Sequence, residues 1–370
     1  MTHSPLLRSD QTLFRDPDVF DFAYMPGHLH HRDAQLQELA FLLQGAGPRN
    51  AVLRGPPGTG KTTTVRRAFS ELTGEFIPVY VNCRQNHTPL AVYRCIAKDL
   101  LGYASPSRHL DDTREAIAAR LGEKDARLLV CLDDANYLIA AGTYNLLLYQ
   151  LLRLYEGWEE IRGAGVFAVT SDLALNLYAE ADASVRSVFR PAEVTFLPYA
   201  RAEIRDILAD RARQGLYPGV MPAPLLDRIA RIAAEEQDIR VGIDLIRAAV
   251  RRAEADGRRR VTPGDLAAAV RVTTAPVLQA RVTDLSAGER ALLCRIAEHA
   301  REGADMASGA VFEAAREYLA VGKSTYHEHL KALAKIGIVD LVPGPGRGQE
   351  REVRLRYDPD EVVSVCTYPD

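Results

Sequence analysis

Gly55-Pro56-Pro57-Gly58-Thr59-Gly60-Lys61-Thr62 follows directly on the short apolar run Ala51–Leu53 and leads into a helical pattern starting near Thr62. The octapeptide fills every fixed position of the phosphate-binding pattern G-x-x-x-x-G-K-[ST], with a strand before it and a helix after. Glycines let backbone N–H groups turn inward around phosphate oxygens. The helix N-terminus adds partial positive charge at the same point. Lys61 has the reach to meet β- and γ-phosphates, and the Thr62 hydroxyl suits Mg²⁺. Gly58, Thr59, Gly60, Lys61, Thr62 and Thr63 are therefore the expected residues for an ATP or ADP ligand.

Such a site needs an acidic partner for the metal. Leu128-Leu129-Val130-Cys131-Leu132-Asp133-Asp134 is an apolar strand ending in two carboxylates. Asp133 is expected to hold Mg²⁺, directly or through water, and Asp134 to orient or deprotonate the attacking water. Five short apolar runs, Ala51–Leu53, Phe76–Val81, Leu128–Leu132, Val166–Val169 and Val194–Leu197, alternate with helical patterns, and a helix over Arg32–Leu43 precedes them. That alternation predicts an α/β domain over residues 1–199, a parallel sheet covered on both faces.

Beyond Pro198 the strand pattern stops. Three or four amphipathic helices fit, at Arg201–Arg213, Ala223–Glu235, Ile239–Asp256 and Thr262–Arg271, forming a small helical domain over 200–272. Thr262-Pro263 reads as a helix start. Residues 273–284 contain Pro276 and lose periodicity, which suits a linker. Ser286-Ala287-Gly288-Glu289 is a capping box opening a helix to Arg301. Helical patterns at Ala307–Leu319 and Ser324–Ile336 follow, then strands at Ile338–Val342 and Arg351–Arg356 flanking a glycine-rich tip. Three helices and a β-hairpin over 285–370 are the layout of a winged helix-turn-helix.

Composition excludes several classes. The 370 residues are 47% hydrophobic and 26% charged, which is ordinary for globular chains. No apolar run approaches the 18 or so residues that a membrane span needs, and no basic segment followed by an apolar core opens the chain. Neither a membrane nor a secretory signal is expected. Five separated cysteines without a CxxC pair argue against zinc knuckles and disulfide frameworks, and fit a reducing, cytoplasmic setting. Only six of the 46 basic residues are lysine. A GC-rich genome is the simpler reason for that arginine excess, so the distribution of charge matters more than its total.

Taken in order, these residues resemble the AAA+ family, and within it the archaeal ORC-type DNA replication initiators. The resemblance starts at Tyr24-Met25-Pro26 and His31-Arg32, similar to the family's segment near the adenine, and covers nearly the whole chain. It takes in the phosphate loop and Val81-Asn82-Cys83-Arg84. It continues through Phe196-Leu197-Pro198-Tyr199, with Arg211 twelve residues on, and through Asp238-Ile239-Arg240. It implies that Tyr199 and Arg211 contact the nucleotide, and that Arg240 is the lid arginine called sensor 2. Three departures stand out. The second acid is Asp134 where the family usually has glutamate, which implies slow turnover. Ser171 stands where the family's sensor 1 asparagine is usual. Ser184 occupies the arginine-finger position, with Arg186 and Arg190 nearby.

Between Arg316 and Arg356 eight basic residues face five acidic ones, in a chain whose overall charge is −3. Lys331 on the third helix, and Arg347 and Arg351 on the wing, are the expected DNA contacts, chiefly to phosphates. The resemblance implies an ATP-dependent initiator that binds origin duplex DNA, cytoplasmic and associated with the nucleoid. A replicative helicase and a paralogous initiator are partners implied by the resemblance. An ATP-regulated winged-helix transcription regulator is the alternative, and a protein-remodelling AAA+ ATPase a further one.

Overall fold

The computed structural model describes residues 12–44, 50–72, 74, 76–103, 109–158, 161–343 and 351–367. They form two compact units. One comprises Phe14–Tyr217 with Leu226–Ile243; the other comprises the described residues of 1–13, 218–225 and 244–370. The division therefore runs through the expected helical domain rather than beside it.

The first unit is built on five parallel strands: β1 (Asn50–Arg54), β2 (Phe76–Asn82), β3 (Arg127–Asp133), β4 (Ala164–Thr170) and β5 (Pro191–Thr195), in the order β2-β3-β4-β1-β5. Helices α1 (Asp33–Leu43) and α2 (Lys61–Ser70) contribute Leu39, Val65 and Phe69 to one core, with Leu53, Leu129, Phe167 and Val169 from the sheet. The opposite core takes Val52, Val79, Val130 and Val166 from the sheet. It is covered by α3 (Pro89–Leu101), α4 (Leu110–Lys124), α5 (Asn136–Ala140), α6 (Tyr144–Leu152), α7 (Leu154–Gly157) and α8 (Ala183–Arg186). Neighbouring residues on one strand thus bury into different cores, which is why these strands read as continuous apolar runs.

One strand lies three residues upstream of its expected start. The sequence points to Val194–Leu197, but β5 ends at Thr195, opposite Arg54. Phe196 is fully buried beyond the strand end and Leu197 is 69% exposed. The strand opens with Pro191, which an edge strand pairing only with β1 tolerates. Helix α9 (Arg201–Gly215) follows, then α10 (Ala223–Glu235) and α11 (Ile239–Ala255), both shared between the units.

In the second unit, α12 (Pro263–Thr283) starts at the Thr262 cap and runs on through Pro276. Residues 273–283, read as linker, are helical. Their periodicity fails because the helix changes partners: Leu266 and Ala269 are buried in its first half, whereas Leu278 and Val282 enter the C-terminal core. That core is assembled by α13 (Ala287–Arg301), α14 (Ser308–Arg316), α15 (Lys323–Lys335), the antiparallel hairpin β6 (Val339–Pro343) and β7 (Arg351–Leu355), and α16 (Pro359–Thr367). The Ser286–Glu289 capping box forms at the start of α13. No helix among the described residues is long and apolar enough to cross a membrane.

Candidate nucleotide site and nucleic-acid face

The phosphate loop leaves β1 at its carboxyl end and enters α2 at Lys61. Gly58 and Gly60 sit at φ +72° and +83°, a region open to glycine and costly for other residues. Gly60 caps α2 without a side-chain acceptor. The first-turn amides of α2, those of Lys61, Thr62 and Thr63, therefore have no partner within the helix, the arrangement that receives phosphate oxygens. Thr59 is buried, and its Oγ1 donates to Pro56 O at 2.9 Å, tightening the loop.

Lys61 is 6% exposed and its Nζ donates to the carbonyls of Gly55 (2.6 Å) and Pro56 (2.7 Å). Burial pushes its amine down to about 8; Asp133 and Asp134 oppose the shift, and Arg240 adds to it. The Thr62 hydroxyl donates to Asp133 Oδ2 at 2.7 Å. A hydroxyl and a carboxylate this close are the hard oxygen donors that suit Mg²⁺. A second hydroxyl, that of Tyr80 on β2, donates to the same Asp133 oxygen, and Arg66 lies over the Tyr80 ring at 4.3 Å. Nothing in the sequence around Tyr80 marks it as a partner of Asp133. Only the β2–β3 register, which pairs Tyr80 with Cys131 and Asn82 with Asp133, brings it there.

Asp134 leaves the strand at φ +55° and its N–H donates to Asp133 Oδ1 at 3.2 Å. Its carboxyl is raised above the usual range, first by burial and then by the like charge of Asp133; Lys61, Arg84 and Arg240 pull the other way. Strand order puts β4 between β1 and β3, so Ser171, the residue after β4, emerges between the phosphate loop and the acids. All three strands deliver their chemistry at the carboxyl edge of a parallel sheet, where such sheets bind ligands.

The residues expected from the helical region divide. Asp238 lies so close to the loop that a Cβ on Gly58 would fall 2.1 Å from its Oδ1. Arg240 pairs with that same carboxylate, its Nη2 at 2.6 Å from Oδ2. Tyr199 also reaches the loop, with its hydroxyl 2.7 Å from where a Cβ on Gly60 would stand. Arg211 does not join them: its guanidinium donates to Val19 O at 2.6 Å and lies over the Tyr24 ring. Near α8, Ser184 donates to Asp182 at 2.6 Å and Arg186 to Ala181 O at 2.6 Å. Arg190 is exposed.

In the second unit a groove of about 1180 Å³ opens between α14, α15 and the hairpin. Lys323, His327, Lys331 and Arg351 line it, over a floor that includes Phe312, Leu330 and Leu341. Ser324, Thr325, His327 and Lys331 are exposed along α15, while Tyr326, Leu330 and Leu333 are buried. Arg347 lies within residues 344–350, which are outside the described residues.

A family model for an AAA domain matches residues 45–173, and one for the Cdc6 AAA+ ATPase-type lid domain matches residues 205–271. ORC1-type DNA replication protein 3 of Haloarcula marismortui is 38% identical over 369 residues, spanning 97% of each chain. The Aeropyrum pernix ORC1 protein, solved in complex with DNA, superimposes with a TM-score of 0.63 at 28% identity over 96% of both chains. The Aeropyrum pernix ORC2 protein, solved as ADPNP-ADP complexes, gives 0.67 at 25% identity over 96% of this chain and 98% of that one. A phosphate loop facing paired acids, a helical region reaching that loop, a C-terminal winged helix and near-full-length relatives converge: the chain belongs to the ORC1-type DNA replication protein family of AAA+ ATPases.

Proposed function

We propose that this protein is an ATP-dependent replication initiator that binds duplex DNA at origins and uses the nucleotide as a conformational ligand before it is a substrate. The observation that carries the reading is the contact of Asp238 with Gly58, beside Lys61, Thr62 and Asp133. The helical segment that bears Arg240 abuts the phosphate loop, so a nucleotide entering the loop must alter that contact. Gly58–Thr63 would hold the phosphates, Thr62 and Asp133 would hold Mg²⁺, and the metal would supply neutralisation of the phosphate charge. Tyr199, Arg211 and Arg240 are the further nucleotide residues; for Arg211 this requires release from Val19 and Tyr24. In hydrolysis Asp134 takes a proton from water, whose oxygen bonds to the γ-phosphorus as the bond to the β–γ bridging oxygen breaks, leaving ADP and phosphate.

Lys331 and Arg351 in the winged-helix groove support duplex binding, with Arg347 as a further contact expected from the sequence, chiefly to phosphates. Recruitment of the replicative helicase, association with a paralogous initiator and a nucleoid-associated cytoplasmic location complete the proposal. Calorimetry tests its base. Wild-type protein binds Mg-ATP tightly, and Lys61→Ala loses that binding while keeping the circular-dichroism spectrum and the melting transition. Wild-type-like affinity in Lys61→Ala would overturn it.

A further inference from the structure

Arg32 joins three stretches of backbone. It is 5% exposed, and its guanidinium donates to Thr59 O in the phosphate loop (Nε, 2.9 Å), to Leu197 O after β5 (Nη2, 2.9 Å) and to His31 O (Nη1, 2.8 Å). It also stacks on Tyr199, 3.6 Å from the ring centroid, and the Tyr199 hydroxyl lies against Gly60. No acid forms an ion pair with it among the described residues. Burial pushes the guanidinium below its ordinary value, and Tyr199 and Glu203 offset this only in part. A buried cation is costly unless its donors are satisfied. Here neutral carbonyls satisfy them, and two of the three belong to the loop and to the connection that leads into α9.

A trans peptide is planar and its C=O and N–H point in opposite directions. Fixing the Thr59 carbonyl on Arg32 therefore directs the Gly60 N–H away from the Arg32–Tyr199 pair. Gly60, at φ +83°, has no side chain to hold that plane by itself. The same guanidinium fixes Leu197 O, two residues before Tyr199, so loop and connection cannot move independently while Arg32 stays in place.

We propose that Arg32 is a positioning residue: it orients the Thr59–Gly60 peptide for phosphate and couples the state of the loop to the Leu197–Ala200 connection. The inference rests on the nucleotide reading above and adds how occupancy is passed on. Lysine keeps the charge but has neither the planar fork nor the stacking face, so Arg32→Lys separates geometry from charge.

The test is ADP affinity together with amide hydrogen exchange on the full chain, in wild type, Arg32→Ala and Arg32→Lys. In wild type, saturating Mg-ADP slows exchange both in 58–63 and at Tyr199–Glu203. In both variants affinity falls at least tenfold, and saturating Mg-ADP slows exchange in 58–63 alone. Should Arg32→Ala fail to fold, Arg32→Lys carries the test. Variants that bind within twofold of wild type, or that still protect both segments, overturn the proposal, as does full rescue by lysine. Absence of ADP binding in wild type would instead overturn the nucleotide reading, and this inference with it.

Discussion

The Thr62 hydroxyl donates a 2.7 Å hydrogen bond to Asp133 Oδ2, joining the first turn of α2 to the end of β3. Strand β4 lies between β1 and β3 in the sheet, so the bond spans a full strand and closes the carboxyl edge of the site. Lys61, Asp134 and Tyr80 are all within electrostatic or hydrogen-bonding reach of the same carboxylate. Each gives a separate expectation.

Nucleotide affinity should fall at alkaline pH. In the free protein the Lys61 amine loses its proton around pH 8 instead of near 10.5, because burial disfavours the charge. Phosphate binds the ammonium, so above about pH 8 binding takes up a proton and affinity drops, approaching tenfold per pH unit. Stability of the ligand-free fold changes with the opposite sign. Between 8 and 10.5 the unfolded chain holds more protons at this lysine, so its contribution rises with pH. ADP titrations from pH 7 to 9.5 check the first part, and a flat affinity would contradict it.

Asp134→Asn should lower single-turnover ATP hydrolysis at least tenfold and leave ATP affinity within about threefold, in keeping with the 10²–10⁴-fold worth of a general base. The backbone at φ +55° accepts asparagine readily, so loss of activity would report on the carboxylate and not on the fold. Asp134→Glu restores the longer reach and should raise the rate above that of wild type. Unchanged single-turnover rates in the asparagine variant would remove this residue from the mechanism.

Tyr80→Phe removes one of two hydroxyl donors to Asp133 Oδ2. Loss of a hydrogen bond to a charged group costs about 1.5–3 kcal/mol. Urea denaturation should show a shift within or just below that range. The Mg²⁺ concentration needed for tight ATP binding should change as well, because Asp133 then has one competing proton donor fewer. Identical denaturation midpoints and Mg²⁺ dependence would show the contact to be energetically idle.

Lys331 and Arg351 line one groove, on α15 and β7 respectively. Each alanine variant should weaken binding to origin and random duplexes alike. It should also flatten the plot of log K against log salt by about one, given roughly 0.9 counterions released per phosphate contact. A change confined to one sequence would mark a base contact, worth about 1–3 kcal/mol, instead. Wild-type binding in both variants at every salt concentration would turn this groove to a protein partner.

The site was legible in the sequence where backbone demands select residue type. Gly58 and Gly60 are glycines because their φ values require it, and Asp133 is found at once as the acid ending an apolar strand. Arg32 was noticed only within the segment that resembles its relatives, because its partners at Thr59, Leu197 and Tyr199 lie 27 to 167 residues away. Tyr80 was missed for the same reason: a tyrosine in a strand carries no sign of the carboxylate that another strand brings beside it. The β5 boundary misled because Phe196 stays buried in the α1–α2 core past the end of the strand, its N–H still bonded to Arg54 O. Helix α12 misled because it serves two cores in succession, so neither half extends the other's pattern.

Mapping the protein on its own chromosome by chromatin immunoprecipitation with sequencing, alongside marker-frequency profiles of replicating cells, separates an initiator from a transcription regulator. An origin-binding initiator should be enriched at the peaks of marker frequency, and Lys61→Ala should alter that occupancy. Enrichment spread over promoters, with none at the sites where replication begins, would contradict the initiator reading and favour a transcription regulator built on the same fold.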